Sequence, residues 1–352
     1  MNLYPRARIH LGNIVANWRA IDALAPFTDT GAVVKANAYG HGAVQVGRAL
    51  YDAGCRTFFV AYADEGAELR EEIGDLALIY LFNGAGEDDR TLVQRSTLIP
   101  VINSIPALEL WMSDEMAPYA LHIDTGMNRL GIRPEDVPQA YDMRGRRGPV
   151  MVMSHLVDSD RPRDPVNTRQ CNSFRELSAP FTMARKSLSN TGGCFIGRQY
   201  DFDLQRPGIG LYGGGPEPSD GIEILPGMTL EAPILTVQQV AAGEAVGYGG
   251  EWTFNEPRTL ATVALGYGDG FPRSAGNRGF ASLGGIHCPI VGRVSMDLIT
   301  IDVTSAQGLA KPGAFAQFIG SEIRLEDQAR RAGTVGYELV TGLGHRVRRI
   351  YD

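Results

Sequence analysis

Across the first two-thirds of the chain, short apolar runs recur at intervals of about 25 residues, and stretches of helical period lie between them. The runs are AVVK (32–35), TFFVA (57–61), LALIYLF (76–82), TLIPVI (97–102), YALHID (119–124) and PVMVMSH (149–155), with weaker ones at KSLSN (186–190) and near DLQRPGI (203–209). The helical patterns cover 42–54, 64–73, 87–95, 105–112, 134–143 and 167–184. One of them, ADEGAELREE (63–72), is acidic at its start and basic later, as a helix dipole prefers. Strands that alternate with helices imply a parallel sheet buried on both faces. Eight such units in about 220 residues fit a closed (β/α)8 TIM-like barrel better than an open, doubly wound sheet.

The pattern changes at YGGGPEPSDG (212–221), where glycine, proline and acidic residues crowd together as in a linker. Beyond it TLEAPILTVQQV (229–240), TLATVALGY (259–267), CPIVGRV (288–294) and LITIDVT (298–304) are β-rich, and helical signal is scarce until 325–333. The expected organisation is therefore an α/β barrel domain over 1–221 and a mostly-β domain over 222–352. Residues 1–11 are candidates to pair with the second domain. GIGLYG (208–213) matches the glycine pattern of a dinucleotide turn, but GGPEP follows it and makes a poor helix start. Its glycines still suit close approach of backbone N–H groups to a phosphate.

Composition narrows the function classes. A hydrophobic content of 44% with 21% charged residues fits a soluble globular protein. The net charge of −7 and the lack of any basic run longer than RGRR (144–147) argue against nucleic acid as partner. Cys55, Cys171, Cys194 and Cys288 are widely spaced with no CxxC pair, which suits a reducing compartment. No apolar signal core opens the chain and no run reaches the ~18 residues of a membrane span, so a cytoplasmic location is expected. His10, His41, His287 and His345 show no ligand spacing, and no metal site is expected.

A parallel barrel places its chemistry at the C-terminal ends of its strands. Lys35, His155 and Asn190 all fall at such ends. In VVKANAYGHG (33–42) the apolar run stops on a lysine. That lysine is either a strand end reaching solvent or one held for imine chemistry.

The residues around it resemble a family. VVKANAYGHG is similar to the cofactor-lysine motif of the alanine racemases, pyridoxal-phosphate enzymes with a barrel and a C-terminal β domain. VAYADEGAELRE (60–71), IDTGMNRLG (123–131), MSHLVDSD (153–160), QRPGIGLYG (205–213), VGYGGEW (246–252), GYGDGFPR (266–273), VGRVSMD (291–297) and GYE (336–338) follow in the family's order. The resemblance implies racemisation of alanine by two bases on opposite faces of the α-carbon, with pyridoxal 5'-phosphate as cofactor. Lys35 holds the cofactor as an internal aldimine and serves one face. Tyr248, contributed by the partner subunit of a homodimer, serves the other. A free phenol has a pKa near 10, so Tyr248 needs the support that His155 and Arg206 supply. Arg206 also faces the pyridine nitrogen. An arginine accepts no proton, so that nitrogen stays neutral and the ring is a weaker electron sink.

By the same resemblance Tyr39, Thr191, the backbone N–H groups of Gly208 and Ile209, and Tyr337 meet the phosphate, with Asn190 beside them. Arg129 contacts the cofactor's phenolic oxygen and the substrate carboxylate. Met296, from the partner subunit, offers its backbone N–H to that carboxylate, and Asp297 supports catalysis. Asp160, Tyr267, Arg273 and Arg293 line the substrate entrance.

One position departs from the family. Many members carry a carbamylated lysine two residues before DTGM, and its negative charge orients the arginine; here that position is His122. Arg129 therefore loses its anionic partner, and His122 is expected to replace part of the orienting contact. Three other readings compete: a broader racemase acting on serine or other small amino acids, a barrel-type pyridoxal decarboxylase, and a non-catalytic binding paralogue. The GYGG tyrosine and RPG arginine disfavour the decarboxylase. The retained Lys35–Tyr248 pair disfavours the binding paralogue. Both making D-alanine for cell walls and consuming it are compatible with the motifs.

Overall fold

The computed structural model describes residues 3–112, 117–218, 221–250 and 252–352. The chain divides into two compact units. One comprises Ile14–Leu211 and Gly215–Leu225. The other comprises the N-terminal residues through Asn13, Tyr212–Gly214 and Pro226–Asp352.

The first unit is built on seven parallel strands in sequence order: Ala32–Val33, Thr57–Val60, Leu78–Leu81, Ile99–Ile102, Ala120–His122, Met151–Met153 and Arg185–Ser187. They read as apolar runs because both faces are covered; TFFV and IPVI are buried at every position. Leu204–Gln205 pairs in parallel with Asp29–Thr30, just ahead of the first strand. Backbone bonds from Asp203 N to Lys186 O and from Arg206 N to Ser189 O tie this last strand to the seventh. Gly31 N donates to Gln205 O, and Val33 N to Pro207 O. The sheet thus closes on itself as an eight-stranded barrel.

The strands fall where the apolar runs predict them, but each is shorter. The run ends are loops that carry functional groups. Helices occupy Ala43–Asp52, Ala63–Ile73, Arg90–Arg95, Ile105–Trp111, Val137–Asp142 and Pro165–Ser178. The last differs from the expected 167–184. It starts earlier because the Asp164 carboxylate caps Val166 N at 2.9 Å with Pro165 in the first turn. It stops at Ser178 because Pro180 follows. A helix over Leu11–Leu24, not singled out from the sequence, buries Ile14, Trp18 and Ile21. The glycine-rich segment forms only a 3-10 turn, Ile209–Tyr212.

The second unit centres on the long strand Met228–Val240. It pairs antiparallel with Arg6–Ile9, Arg258–Val263 and Phe315–Ile319. Arg6–Ile9 also pairs in parallel with Arg348–Tyr351, so the first and last described strands lie side by side in this sheet. Arg6 and Arg8 both donate to Glu231 at 2.6 Å. Phe280–Leu283 and Ile286–Pro289 form a hairpin across Gly284 and Gly285, both at positive φ as a two-residue hairpin turn demands. A smaller hairpin, Ala245–Val246 with Trp252–Thr253, carries Tyr248. Val246 packs with Val240, Leu260 and Val291, and Trp252 and Phe254 pack against that cluster. Helices occupy Leu325–Ala332 and Gly336–Thr341, the second unmarked by periodicity because it is only six residues long.

Closure of the barrel leaves no room at Gly31, where a Cβ would sit 3.0 Å from both a Phe59 ring carbon and Thr57 O. Gly31→Ala is expected to cost on the order of 1–3 kcal/mol. A lower urea midpoint with an unchanged m-value would confirm it; an unchanged midpoint would show that the strand seam can spread.

Candidate active site

Lys35 follows the first barrel strand and opens an unusual turn. Ala36, Asn37, Ala38 and Tyr39 all lie at φ between 51° and 54°. For residues with a Cβ this left-handed conformation costs about 1–2 kcal/mol each, so the turn has to be held from outside. Ala38 N donates to Val34 O at 2.8 Å, and Gly42 N to Asn37 O at 2.9 Å. Buried His41 donates from Nδ1 to Tyr39 O at 2.9 Å, and the Asn37 side chain accepts from Ala43 N at 2.8 Å. At the other end Ala36 N donates to Glu65 Oε1 at 2.7 Å. The Lys35 Nζ lies 5.5 Å from the centre of the Phe82 ring. Burial and then the Arg129 charge lower its pKa, while Glu65 pulls it upward. The amine is thereby brought toward its nucleophilic, unprotonated form.

Arg206 lies at the C-terminal end of the last strand and is only 2% exposed. Its Nη2 donates to Ser154 O at 2.6 Å and to Leu188 O at 3.2 Å, and its Nη1 donates to the Ser187 hydroxyl. The Nε is buried and meets no acceptor. Burial pulls the guanidinium down to about 10, still charged at neutral pH.

His155 follows the sixth strand of the seven. It is held well below the usual histidine range, by burial first and then by the charges of Arg206, Arg129, His122 and Lys35. Asn190 Oδ1 accepts from Gly193 N at 3.0 Å and from the Ser159 hydroxyl at 2.8 Å, which turns its NH2 toward His155 Nε2 at 3.4 Å. The neutral imidazole therefore accepts at Nε2 and keeps its proton on Nδ1.

A small cradle lies beside the lysine turn. Thr191 Oγ1 accepts from Gly208 N at 2.9 Å and Gly210 N at 3.3 Å. The Tyr39 phenol lies so close that a Cβ at Gly208 would come within 2.5 Å of its oxygen. Ile209 is buried in the same turn. Two backbone N–H groups and two hydroxyls thus lie together in one turn, groups of the kind that bind a phosphate.

Arg129 is exposed at the tip of a loop whose base is locked by Asp124 N to Ile132 O (2.9 Å) and Ile132 N to His122 O (2.7 Å). Inside the loop Asp124 Oδ1 accepts from Gly126 N, Met127 N and Asn128 N, and Oδ2 takes Arg133 Nη1 at 3.1 Å. Burial pushes the Asp124 carboxyl up, but these bonds together outweigh it and hold it below the usual range.

His122 does not bond Arg129. Asn103 Nδ2 donates to Phe82 O and Val101 O, both at 2.9 Å, so its Oδ1 must face His122 Nδ1, 2.8 Å away. The hydrogen-bonding contact expected between His122 and Arg129 is thus made to Asn103 instead. Burial, followed by the Arg206 charge, lowers the His122 pKa to about 4, so it is neutral.

The remaining predicted residues belong to the β unit, apart from Asp160, which is exposed beside Ser159 in the barrel unit. Tyr248 is 71% exposed on a turn of three positive-φ glycines, Gly247, Gly249 and Gly250. The Arg293 guanidinium lies under that turn, 3.6 Å from where a Gly249 Cβ would be. Tyr267 N donates to Ser295 O and Gly268 N to Met296 O. Arg346 bridges Asp269 at 2.9 Å and Asp297 at 2.8 Å. The β unit therefore groups Tyr248 with Arg293, and Tyr267 with Met296 and Asp297. Arg273 and Tyr337 are exposed at the starts of a 3-10 turn and a short helix.

Glu65, Asp124, His41 and Asn103 were not singled out from the sequence. Two left a signal: Glu65 is the third residue of an acidic helix start, and Asp124 precedes Thr-Gly as in an Asx turn. No cluster of three metal-ligating side chains exists among the described residues, and no helix among them is long and apolar enough to cross a membrane.

Comparison with known proteins gives a consistent result. Residues 9–216 match the family model "Alanine racemase, N-terminal domain", and 227–351 match "Alanine racemase, C-terminal domain". An alanine racemase of Methylobacterium nodulans is 42% identical over 354 residues, covering 98% of this chain and 95% of that protein. Alanine racemase from Bartonella henselae, solved with covalently bound pyridoxal phosphate, superposes with a TM-score of 0.94 at 34% identity, covering all of both chains. The biosynthetic alanine racemase of Pseudomonas aeruginosa gives 0.92 at 32%, also over all of both chains.

The neutral His122 makes a pH prediction. An unfolded histidine titrates near 6.5, whereas the folded pKa is about 4. Between these values the unfolded chain binds the extra proton, so stability is fully present above pH 6.5 and is lost as pH falls toward 4. Urea unfolding at pH 7, 5.5 and 4.5 should show a shallower decline for His122→Gln than for the native chain. Equal slopes would mean that His122 is protonated in the fold.

Proposed function

The chain belongs to the alanine racemase family, and on that premise we propose that it interconverts L- and D-alanine using its own Lys35 on one face of the α-carbon and Tyr248 of a second copy on the other. The observation that carries this reading is the buried, acceptor-less Arg206 Nε at the same barrel end as Lys35 and a turn of backbone N–H and hydroxyl groups. Arg206 Nε is buried without an acceptor, Thr191, Tyr39, Gly208 and Gly210 form a cradle, and the Lys35 amine is depressed by burial and Arg129.

These residues fit pyridoxal 5'-phosphate. Tyr39, Thr191 and the Gly208–Ile209 backbone would hold the phosphate, with Tyr337 and Asn190 as further contacts. Arg206 would face the ring nitrogen through Nε, and a donor-only side chain leaves that nitrogen unprotonated. Bound pyridoxal phosphate supplies the electron sink that makes an amino acid's α-proton removable.

The chain's residues do the rest. Lys35, brought toward its neutral form, takes a proton from the α-carbon or returns it at Nζ. Tyr248 of the second copy does the converse at its phenol oxygen, with His155 and Arg206 as its support. Arg129 and the backbone N–H of Met296 from the second copy orient the substrate carboxylate. Asp297, held by Arg346, anchors the loop that carries Met296. Asp160, Tyr267, Arg273 and Arg293 line the approach. The exposure of Tyr248 and Met296 in the single chain supports a homodimer with shared sites. A cytoplasmic enzyme acting on small amino acids agrees with this reading.

The test is L-alanine in D2O with the holoenzyme, followed by proton NMR and chiral analysis. Loss of the α-proton signal with appearance of D-alanine is expected; exchange with full retention would show a single working base. Lys35→Ala and Tyr248→Phe should each lower racemisation by at least about 100-fold. If the sites are shared, mixing and re-equilibrating the two inactive variants should restore about a quarter of native activity, because each hybrid dimer regains one intact site. No restoration would place both bases in one protomer.

A further inference from the structure

We propose that Glu65 is a positioning residue for Lys35, holding the strained turn that aims the lysine amine. This rests on the role of Lys35 proposed above.

The geometry is specific. Glu65 stands in the first turn of the helix Ala63–Ile73, after the second barrel strand. Its Oε2 accepts from Ala61 N at 2.7 Å and Tyr62 N at 3.3 Å, within its own strand-to-helix connection. Its Oε1 reaches across to the neighbouring connection and accepts from Ala36 N at 2.7 Å. One carboxylate thus clamps the backbone of two adjacent barrel loops, and the second of these begins at Lys35.

The need for such a clamp is physical. Four successive non-glycine residues after Lys35 are left-handed, and such strain persists only where the surroundings over-determine it. The far end of the turn is held by His41 and Asn37. At the near end Ala36 N has the Glu65 carboxylate. With that bond lost, the backbone next to Lys35 is the place where strain is released, and the lysine amine moves with it. The Glu65 charge also acts on that amine, opposing the effect of Arg129.

Glu65→Gln is the informative change. It keeps the shape and one acceptor, but turns an NH2 toward one of the two short backbone N–H contacts. Glu65→Asp keeps the charge and shortens the reach, and serves as the milder variant should the first fold poorly. In the holoenzyme, Glu65→Gln is expected to lower kcat about tenfold, the scale of a modest misplacement of a reacting group. It is also expected to speed release of pyridoxal phosphate on dilution, read by absorbance, with Glu65→Asp intermediate in both.

The decisive readout is the α-deuterium isotope effect on each enantiomer of alanine. Slowing only the Lys35 proton transfer raises the effect for the enantiomer whose proton Lys35 removes, and lowers it for the other. A merely structural defect moves neither. Isotope effects unchanged for both enantiomers in both variants, or cofactor release at the native rate, would overturn the proposal. Racemisation that survives Lys35→Ala would instead remove the reading of Lys35, and the role of Glu65 with it. That result is distinguishable because it appears in the single Lys35 variant.

Discussion

The closure of the barrel is the constraint on which the site depends. Parallel strands of four residues or fewer have little independent stability, and they persist because each is paired on both sides and covered on both faces. The bonds that tie Leu204–Gln205 to Arg185–Ser187 and to Asp29–Thr30 complete the ring. They also bring the loop after the first strand, with Lys35, to the same end as the loops carrying Arg129, His155 and Arg206. The convergence registers electrostatically: His155 feels the charges of Arg206, Arg129 and Lys35 together.

That end of the barrel is rich in donors and cations. Burial first, and then the Arg206 and Arg129 charges, keep His122 and His155 neutral, and burial with the Arg129 charge pulls Lys35 the same way against Glu65. A region of this kind is satisfied by an anionic, acceptor-rich occupant such as a phosphate ester or a carboxylate. Burial first, and then the Arg129 charge, bring the Lys35 amine toward its unprotonated form.

Much of this was legible in the sequence. The spacing of the apolar runs predicted the parallel barrel, and Lys35, His155 and Asn190 fell at strand ends. The left-handed turn was not legible, because ANAY contains no glycine and nothing local favours positive φ there. It is imposed by Glu65, His41 and Asn37. The partner of His122 was hidden for a similar reason. Asn103 lies on another strand end, and its orientation follows from two backbone carbonyls that no sequence pattern reveals. The helix Gly336–Thr341 was too short to show a period.

The sequence by itself determined the fold class, the place of the lysine at a strand end, and the family motifs that name the chemistry, since periodicity and residue type are local properties. Only the tertiary structure decided which groups are charged, which donors are unfilled, and how the turn at Lys35 is held. Those properties depend on burial and on partners far apart along the chain, as when Glu65 reaches Ala36 or Arg206 reaches Ser154. Such contacts exist only once the barrel has closed.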